Sequence, residues 1–293
     1  MASTRAARAL KPLTLALLVS QAAIVVTGGA VRLTGSGLGC PTWPECTPGS
    51  YLPVENQIEG TFHSWIEFGN RLLTFVLVIF ALATLIAVFR AGRKDLRILA
   101  AGQFLGIFAQ GVLGGITVLT NLNPLSVASH FLLSTILIAA ATSLHSRRKE
   151  PAVKTGVQAG LSNYSKAHVT WSTIVIILGT IVTASGPHAG DIDAPRLDIR
   201  IQDAARMHSV SVIILMLLTI AFYMRKNLSA LTKHRIRLFF VISLAQGALG
   251  YIQYHLGVPE LLVGLHLLGT TLVWIGAWRI WLSVQFSAKE MAQ

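Results

Sequence analysis

The sequence predicts an all-α integral membrane protein whose eight transmembrane helices form two four-helix bundles repeated in parallel. Three observations carry that prediction. Of 293 residues, 53% are apolar and only 12% charged, against roughly 25% charged in an ordinary soluble domain. Apolar stretches of 18 or more residues recur along the chain, each able to cross a hydrocarbon core about 30 Å thick. A segment of the second half also reproduces a segment of the first in an ungapped register.

The spans are expected at about 12–33, 64–89, 98–119, 126–145, 167–185, 204–224, 238–256 and 261–284. Backbone in hydrocarbon must satisfy its own hydrogen bonds, so spans of this length are helices. The first follows a basic start, as a signal peptide would, but it is too long for a signal h-region and no A-x-A-like site follows it. The 11 residues before it are short for an organellar transit peptide, which favours a bacterial plasma membrane over a mitochondrial one.

The net charge of +12 is sorted by side. Arg5, Arg8 and Lys11 precede the first span, and Arg90, Arg93, Lys94 and Arg97 join the second to the third. Arg147, Arg148, Lys149, Lys154 and Lys166 join the fourth to the fifth. Arg225, Lys226, Lys233, Arg235 and Arg237 join the sixth to the seventh, and Lys289 lies in the tail. The opposite loops carry Glu45, Glu55, Glu59, Asp191, Asp193, Asp198, Asp203 and Glu260. The positive-inside rule places both termini in the cytoplasm. The basic charge is therefore a topology signal, and nucleic acid is excluded as a partner. Both cysteines, Cys40 and Cys46, fall in the first outer loop, in GCPTWPEC. An oxidising face and a short closed loop make a disulfide the natural reading, and a metal would need a second pair.

The repeat concerns the third, fourth, seventh and eighth spans. Ala109-Gln110-Gly111 precede His130 by 21, 20 and 19 positions, and Ala245-Gln246-Gly247 precede His266 by the same intervals. At this constant offset of 136, Leu113/Leu249, Gly114/Gly250, Ile116/Ile252, Leu125/Leu261, Val127/Val263, Leu132/Leu268 and Thr135/Thr271 also agree. A weaker echo sets TGSG (34–37) against TASG (183–186). An even number of helices per unit makes the repeat parallel, about an axis along the membrane normal. The halves are 1–150 and 151–293.

The even-numbered spans start at the outer face, and each has a histidine near its start: His63, His130, His208 and His266. An intramembrane histidine usually marks function. Its neutral imidazole ligates haem iron, and one from each of two facing helices clamps a planar macrocycle. The alternative for each is a polar contact between helices. His145, His168 and His234 sit at cytoplasmic ends, where a solvated or interfacial role is expected. His188 lies in the third outer loop, and His255 is off the repeated frame.

HSWIEFGNR (63–71) holds the one notable intramembrane acid. His63, Glu67 and Asn70 share a helix face, and a carboxylate there can transfer protons or form an interfacial pair with Arg71 or Arg32. Arg32, Arg71 and Arg206 are among five basic residues on the outer side. They can pair with haem propionates or simply anchor the interface. Gly28, Gly29, Gly111, Gly114, Gly115, Gly247 and Gly250 are expected to permit close helix approach.

With these residues in place the chain resembles the haem A synthase family over nearly its whole length. The likeness lies in GGAVRLTGSGLGCPTWPEC (28–46), IEFGNR (66–71), SHFLLS (129–134), SGPHAGD (185–191) and the His208/His266 pair. The resemblance implies oxidation of the haem O methyl group to a formyl group, giving the haem A of terminal oxidases. It implies a resident haem b on His208 and His266, substrate haem O in the first half, and Glu67 as the essential acid. Cys40 and Cys46 map to a loop pair that can form a disulfide. Many members carry a histidine three residues after the acid, where this chain has Asn70. The iron of the substrate would then take His130 with His63 as substitute, two turns earlier on the same face, or His130 alone. The partners implied are haem O, an electron donor, and haem O synthase as supplier, with a homo-oligomer compatible. A two-haem transmembrane electron-transfer cytochrome is the alternative; it needs paired histidines but no acid in one half.

Overall fold

The computed structural model describes residues 4–55, 60–149 and 159–286. Glu59, Lys154 and Lys289, and the boundary placed between residues 150 and 151, lie outside the described residues. Among the described residues, eight helices are long and apolar enough to cross a membrane. They are α1 (Thr4–Leu33), α2 (Thr61–Arg90), α3 (Arg97–Leu119), α4 (Pro124–Ser146), α5 (Ala159–Ser185), α6 (Ile201–Tyr223), α7 (Ala230–His255) and α8 (Glu260–Gln285), with one 3-10 turn at Lys94–Leu96. The described residues contain no strand, only an isolated bridge between Thr47 and Ser50.

The outer ends match the apolar windows within a few residues, but α1, α5 and α7 each start eight residues earlier than hydropathy places them. All three early starts are at the basic ends. Hydropathy reports the hydrocarbon core alone, whereas the helix continues through the headgroup zone, where Lys and Arg stems still cover apolar surface. Two starts are capped by side chains. Asn123 accepts from Leu125 N–H at 3.0 Å ahead of α4, and Ser229 accepts from Thr232 N–H at 3.1 Å ahead of α7, each satisfying a donor that the helix cannot.

Helix α1 packs on α2 and α4, and α3 on the same two; α5 packs on α6 and α8, and α7 likewise. The first group closes on Leu10, Leu17, Leu77, Ala81 and Leu144, the second on Leu215, Phe222, Ile236, Phe239 and Ile280. The groups meet where α8 lies against α1 and α4, and α4 touches α5. Val25, Ile138, Ala139, Ile176 and Trp274 fill that seam. Trp274 Nε1 donates to the Thr135 carbonyl at 2.7 Å, Trp278 Nε1 donates to Ser143 Oγ at 2.7 Å, and Gly29 makes room for the Leu267 side chain. Trp274→Phe keeps an aromatic ring but loses the N–H and part of the indole's volume at the seam, so it should lower stability by at least about 1 kcal/mol. Thermal unfolding in detergent measures this, and an unchanged midpoint would mean that the seam does not depend on this indole.

Candidate functional site

The ends of the helices opposite the basic loops, the outer ends in the expected orientation, carry two comparable arrangements. Gln110 of α3 donates through Nε2 to the His130 carbonyl at 3.1 Å and to Ser134 Oγ at 2.6 Å. Gln246 of α7 donates to the His266 carbonyl at 2.6 Å and to Thr270 Oγ1 at 3.2 Å. Each glutamine fixes the turn that bears the histidine. Each ring also leans over a glycine: a Cβ on Gly114 would stand 3.3 Å from His130 Cε1, and one on Gly250 would stand 3.0 Å from His266 Cε1. Nδ1 of both histidines is buried without a partner. These glycines shape the site itself, while Gly111 and Gly247 face open space and support no close approach.

On α6, His208 lies against α5, with Nδ1 3.1 Å from the Val175 carbonyl. That contact requires the proton on Nδ1 and leaves the Nε2 lone pair for a metal, the arrangement typical of a ligating histidine. Among the described residues no three His, Cys, Asp or Glu side chains cluster as a metal cage would require. Haem iron takes at most two protein ligands, one per face, so histidines on separate helices fit haem. The observation behind that fit is that the rings of His130 and His266 seat against Gly114 and Gly250 and bury Nδ1 without a protein hydrogen bond.

Helix α2 is organised differently. Glu67 is only 6% exposed. Its Oε2 accepts from the Cys40 backbone N–H at 2.7 Å, and its Oε1 accepts from Arg71 Nη2 at 2.6 Å and Nε at 3.1 Å. Arg71 also donates to the carbonyls of Cys40 (2.8 Å), Thr42 (3.1 Å) and Glu45 (3.1 Å). The loop so gripped is closed by the Cys40–Cys46 disulfide, both cysteines being fully buried. Trp43 of the loop covers Gly115 of α3, where a Cβ would strike its indole. The first outer loop is thereby strapped across α2 and α3. His63 belongs to the same junction: its Nδ1 lies 2.9 Å from Ser36 Oγ, and its backbone sits under Gly39. Asn70, two turns further in, accepts at Oδ1 from Thr27 Oγ1 at 2.8 Å, and a Cβ on Gly28 would stand 3.7 Å from its Nδ2.

The three outer arginines part company. Arg71 is engaged by Glu67 and the loop, Arg32 donates to the Thr183 carbonyl at 2.6 Å and so ties α1 to α5, and Arg206 is exposed. His188 reaches the Val258 carbonyl at 2.8 Å, His145 pairs with Thr14 Oγ1 at 3.0 Å, and His234 and His255 are exposed. His168 departs from the interfacial role expected of it. It is 0% exposed, 3.1 Å from Thr219 Oγ1 and packed against Phe222 and Phe239, because α5 begins early enough to carry it well inside the bundle. Sequence reading missed Ser36, Thr27, Trp43 and the Cys40 peptide as parts of the site. All are non-local, and only the repeated glutamines gave an advance signal.

Known proteins bear on this geometry. The COX15-CtaA family, described as "Cytochrome oxidase assembly protein", matches residues 11–190, which takes in α1 to α5 and ends before α6. The chain is similar to the "Heme A synthase" of Geobacillus thermodenitrificans, with 33% identity over 115 residues, 38% of this chain and 34% of that protein. It is similar to that of Exiguobacterium sibiricum, with 30% identity over 169 residues, 56% of this chain and 55% of that protein. It is also similar to that of Lysinibacillus sphaericus, with 32% identity over 128 residues, 42% and 40% respectively. The chain thus spans about a third to just over half of these relatives' own length.

The grip of Arg71 on the loop has a direct consequence. Arg71→Gln removes the guanidinium from three carbonyls and from Glu67, so the loop should open more often and expose the disulfide. Each 1.4 kcal/mol lost from the closed state is a factor of ten in opening, and reduction of Cys40–Cys46 by dithiothreitol should accelerate at least about tenfold. Thiol labelling over time measures the rate; an unchanged rate would show that the loop does not depend on Arg71.

Proposed function

Because this chain belongs to the COX15-CtaA family of cytochrome oxidase assembly proteins, we propose that it is a haem A synthase, oxidising the methyl group of haem O to a formyl group. The observation that carries the reading is a chemical inequality between otherwise comparable halves. The first half buries a carboxylate, Glu67, beside its histidine-bearing helices; in the second half the position matching Glu67, when Asn70 is set against His208, is Ala205. We take residues 1–150 as the substrate half and 151–293 as the half with the resident cofactor.

His208 and His266 would hold a haem b, which supplies one-electron transfer between the substrate half and an external electron donor. His130 would bind the iron of substrate haem O. The methyl carbon would be hydroxylated twice, the gem-diol losing water to leave the formyl group. Each hydroxylation would exchange a C–H bond for C–OH with dioxygen as the oxidant, taking two electrons from the donor and two protons and releasing one water. Glu67 would relay those protons through Oε1 or Oε2, a role supported by its burial and by hydrogen-bond partners that fix its direction. Arg71 and the Cys40 N–H stabilise the charged form, and the strapped loop excludes water from the outer side. The exposed guanidinium of Arg206 is free for a propionate, with Arg32 and Arg71 nearer the seam and the loop. The setting is a multi-pass protein of a bacterial plasma membrane with both termini on the basic, cytoplasmic side.

Glu67→Gln tests the acid. The protein, co-expressed with a haem O-producing enzyme, should keep its second-half haem spectrum while formyl-haem formation falls about 100-fold or more. Unimpaired conversion would remove Glu67 from the chemistry. Joint loss of conversion and of the second-half haem would mark it as structural.

A further inference from the structure

We infer that the substrate iron in the first half is held by His130 alone, with the amide of Asn70, and no second histidine, facing it from α2. The inference rests on the haem A synthase reading and concerns how that site differs from the resident one.

The two halves can be compared contact by contact. In each, the histidine of the fourth helix stands over a glycine of the third and is fixed by a glutamine, at a constant interval of 136 residues. In each, a residue of the second helix fills a glycine niche on the first. In the second half that residue is His208, whose Cε1 would lie 3.3 Å from a Cβ on Gly179 of α5. Its Nδ1 is turned to the α5 backbone at Val175. In the first half the niche is Gly28 of α1, the occupant is Asn70, and its Oδ1 is turned to Thr27 of the same helix. Asn70 precedes His208 by 138 positions, close to the interval of the fourth-helix histidines. Asn70 therefore holds in the first half the place that His208 holds in the second.

The chemistry of the two occupants differs. An imidazole with its proton on Nδ1 offers a lone pair to iron. An asparagine amide nitrogen offers only N–H groups, and the amide oxygen is already an acceptor for Thr27. His63 is engaged elsewhere: it lies two turns towards the loop, roughly 10 Å along the axis, with its ring on Ser36. The second half thus clamps iron from both sides, as suits electron transfer. The first half leaves one face open, on the same side of α2 as Glu67, three residues from Asn70.

Spin state reads this directly in the full-length protein loaded with haem O and haem b. Wild type should show a low-spin haem that disappears in His208→Ala and a high-spin haem that disappears in His130→Ala. Added imidazole should convert the high-spin signal to low-spin. Asn70→His should do so without imidazole, while Asn70→Ala, the control for folding, should remain high-spin. A first-half haem that is low-spin in wild type, indifferent to imidazole, and high-spin only in His63→Ala would overturn the inference and leave the synthase reading standing. A protein that keeps its second-half signal but never retains haem O would overturn the synthase reading, and the inference with it.

Discussion

A carboxylate buried near the end of a membrane helix must be compensated, and the compensation of Glu67 organises the outer face of the first half. An isolated buried charge is expensive, and a guanidinium four residues along the helix meets only part of that cost. The Cys40 N–H meets another part from outside the helix. The loop that supplies it is held in turn by the remaining donors of Arg71 and closed by the disulfide. Charge, loop and covalent bridge are thus one unit. Removing one partner of such a buried pair typically costs several kcal/mol, because the other is left uncompensated. The acid has therefore been fixed in direction as well as in place, as proton transfer needs.

The second half solves a simpler problem. Of its two imidazoles, His208 is held by the contact of Nδ1 with the Val175 carbonyl, whereas His266 is steadied through its backbone carbonyl, by Gln246. No loop is needed to neutralise a charge. The glycines that abut the rings, Gly179 and Gly250, set how near α5 and α7 come to the histidines of α6 and α8, so their role is steric. Between the halves, α8 serves both: it carries His266 and lends Trp274 and Trp278 to the α4 backbone and hydroxyls. The position of His266 and the packing of the first half thereby share one rigid element.

Most of the architecture was legible from hydropathy, since an apolar run long enough for the bilayer has little alternative to helix. The basic-side starts of α1, α5 and α7 were not, because amphipathic first turns lie outside the hydrocarbon and carry no hydropathic signal; the deep burial of His168 follows from that error. The histidines and their glutamines were legible because they recur at a fixed interval. The Arg71 pairing of Glu67 was one of two readings open from helix spacing alone. The Cys40 N–H, the Ser36 contact of His63 and the Trp43–Gly115 fit were beyond the sequence, since each joins a loop to a helix and depends on where the chain turns.

The most direct test of the central claim is the haem content of the purified wild-type protein, by pyridine haemochrome spectra and mass, with and without a co-expressed haem O-producing enzyme. Haem b alone in the unsupplied protein, joined by haem O and formyl-bearing haem A when the supply is present, is the predicted result. Two equivalents of haem b, unchanged by the supply, would contradict it and would identify the protein as an electron-transfer cytochrome.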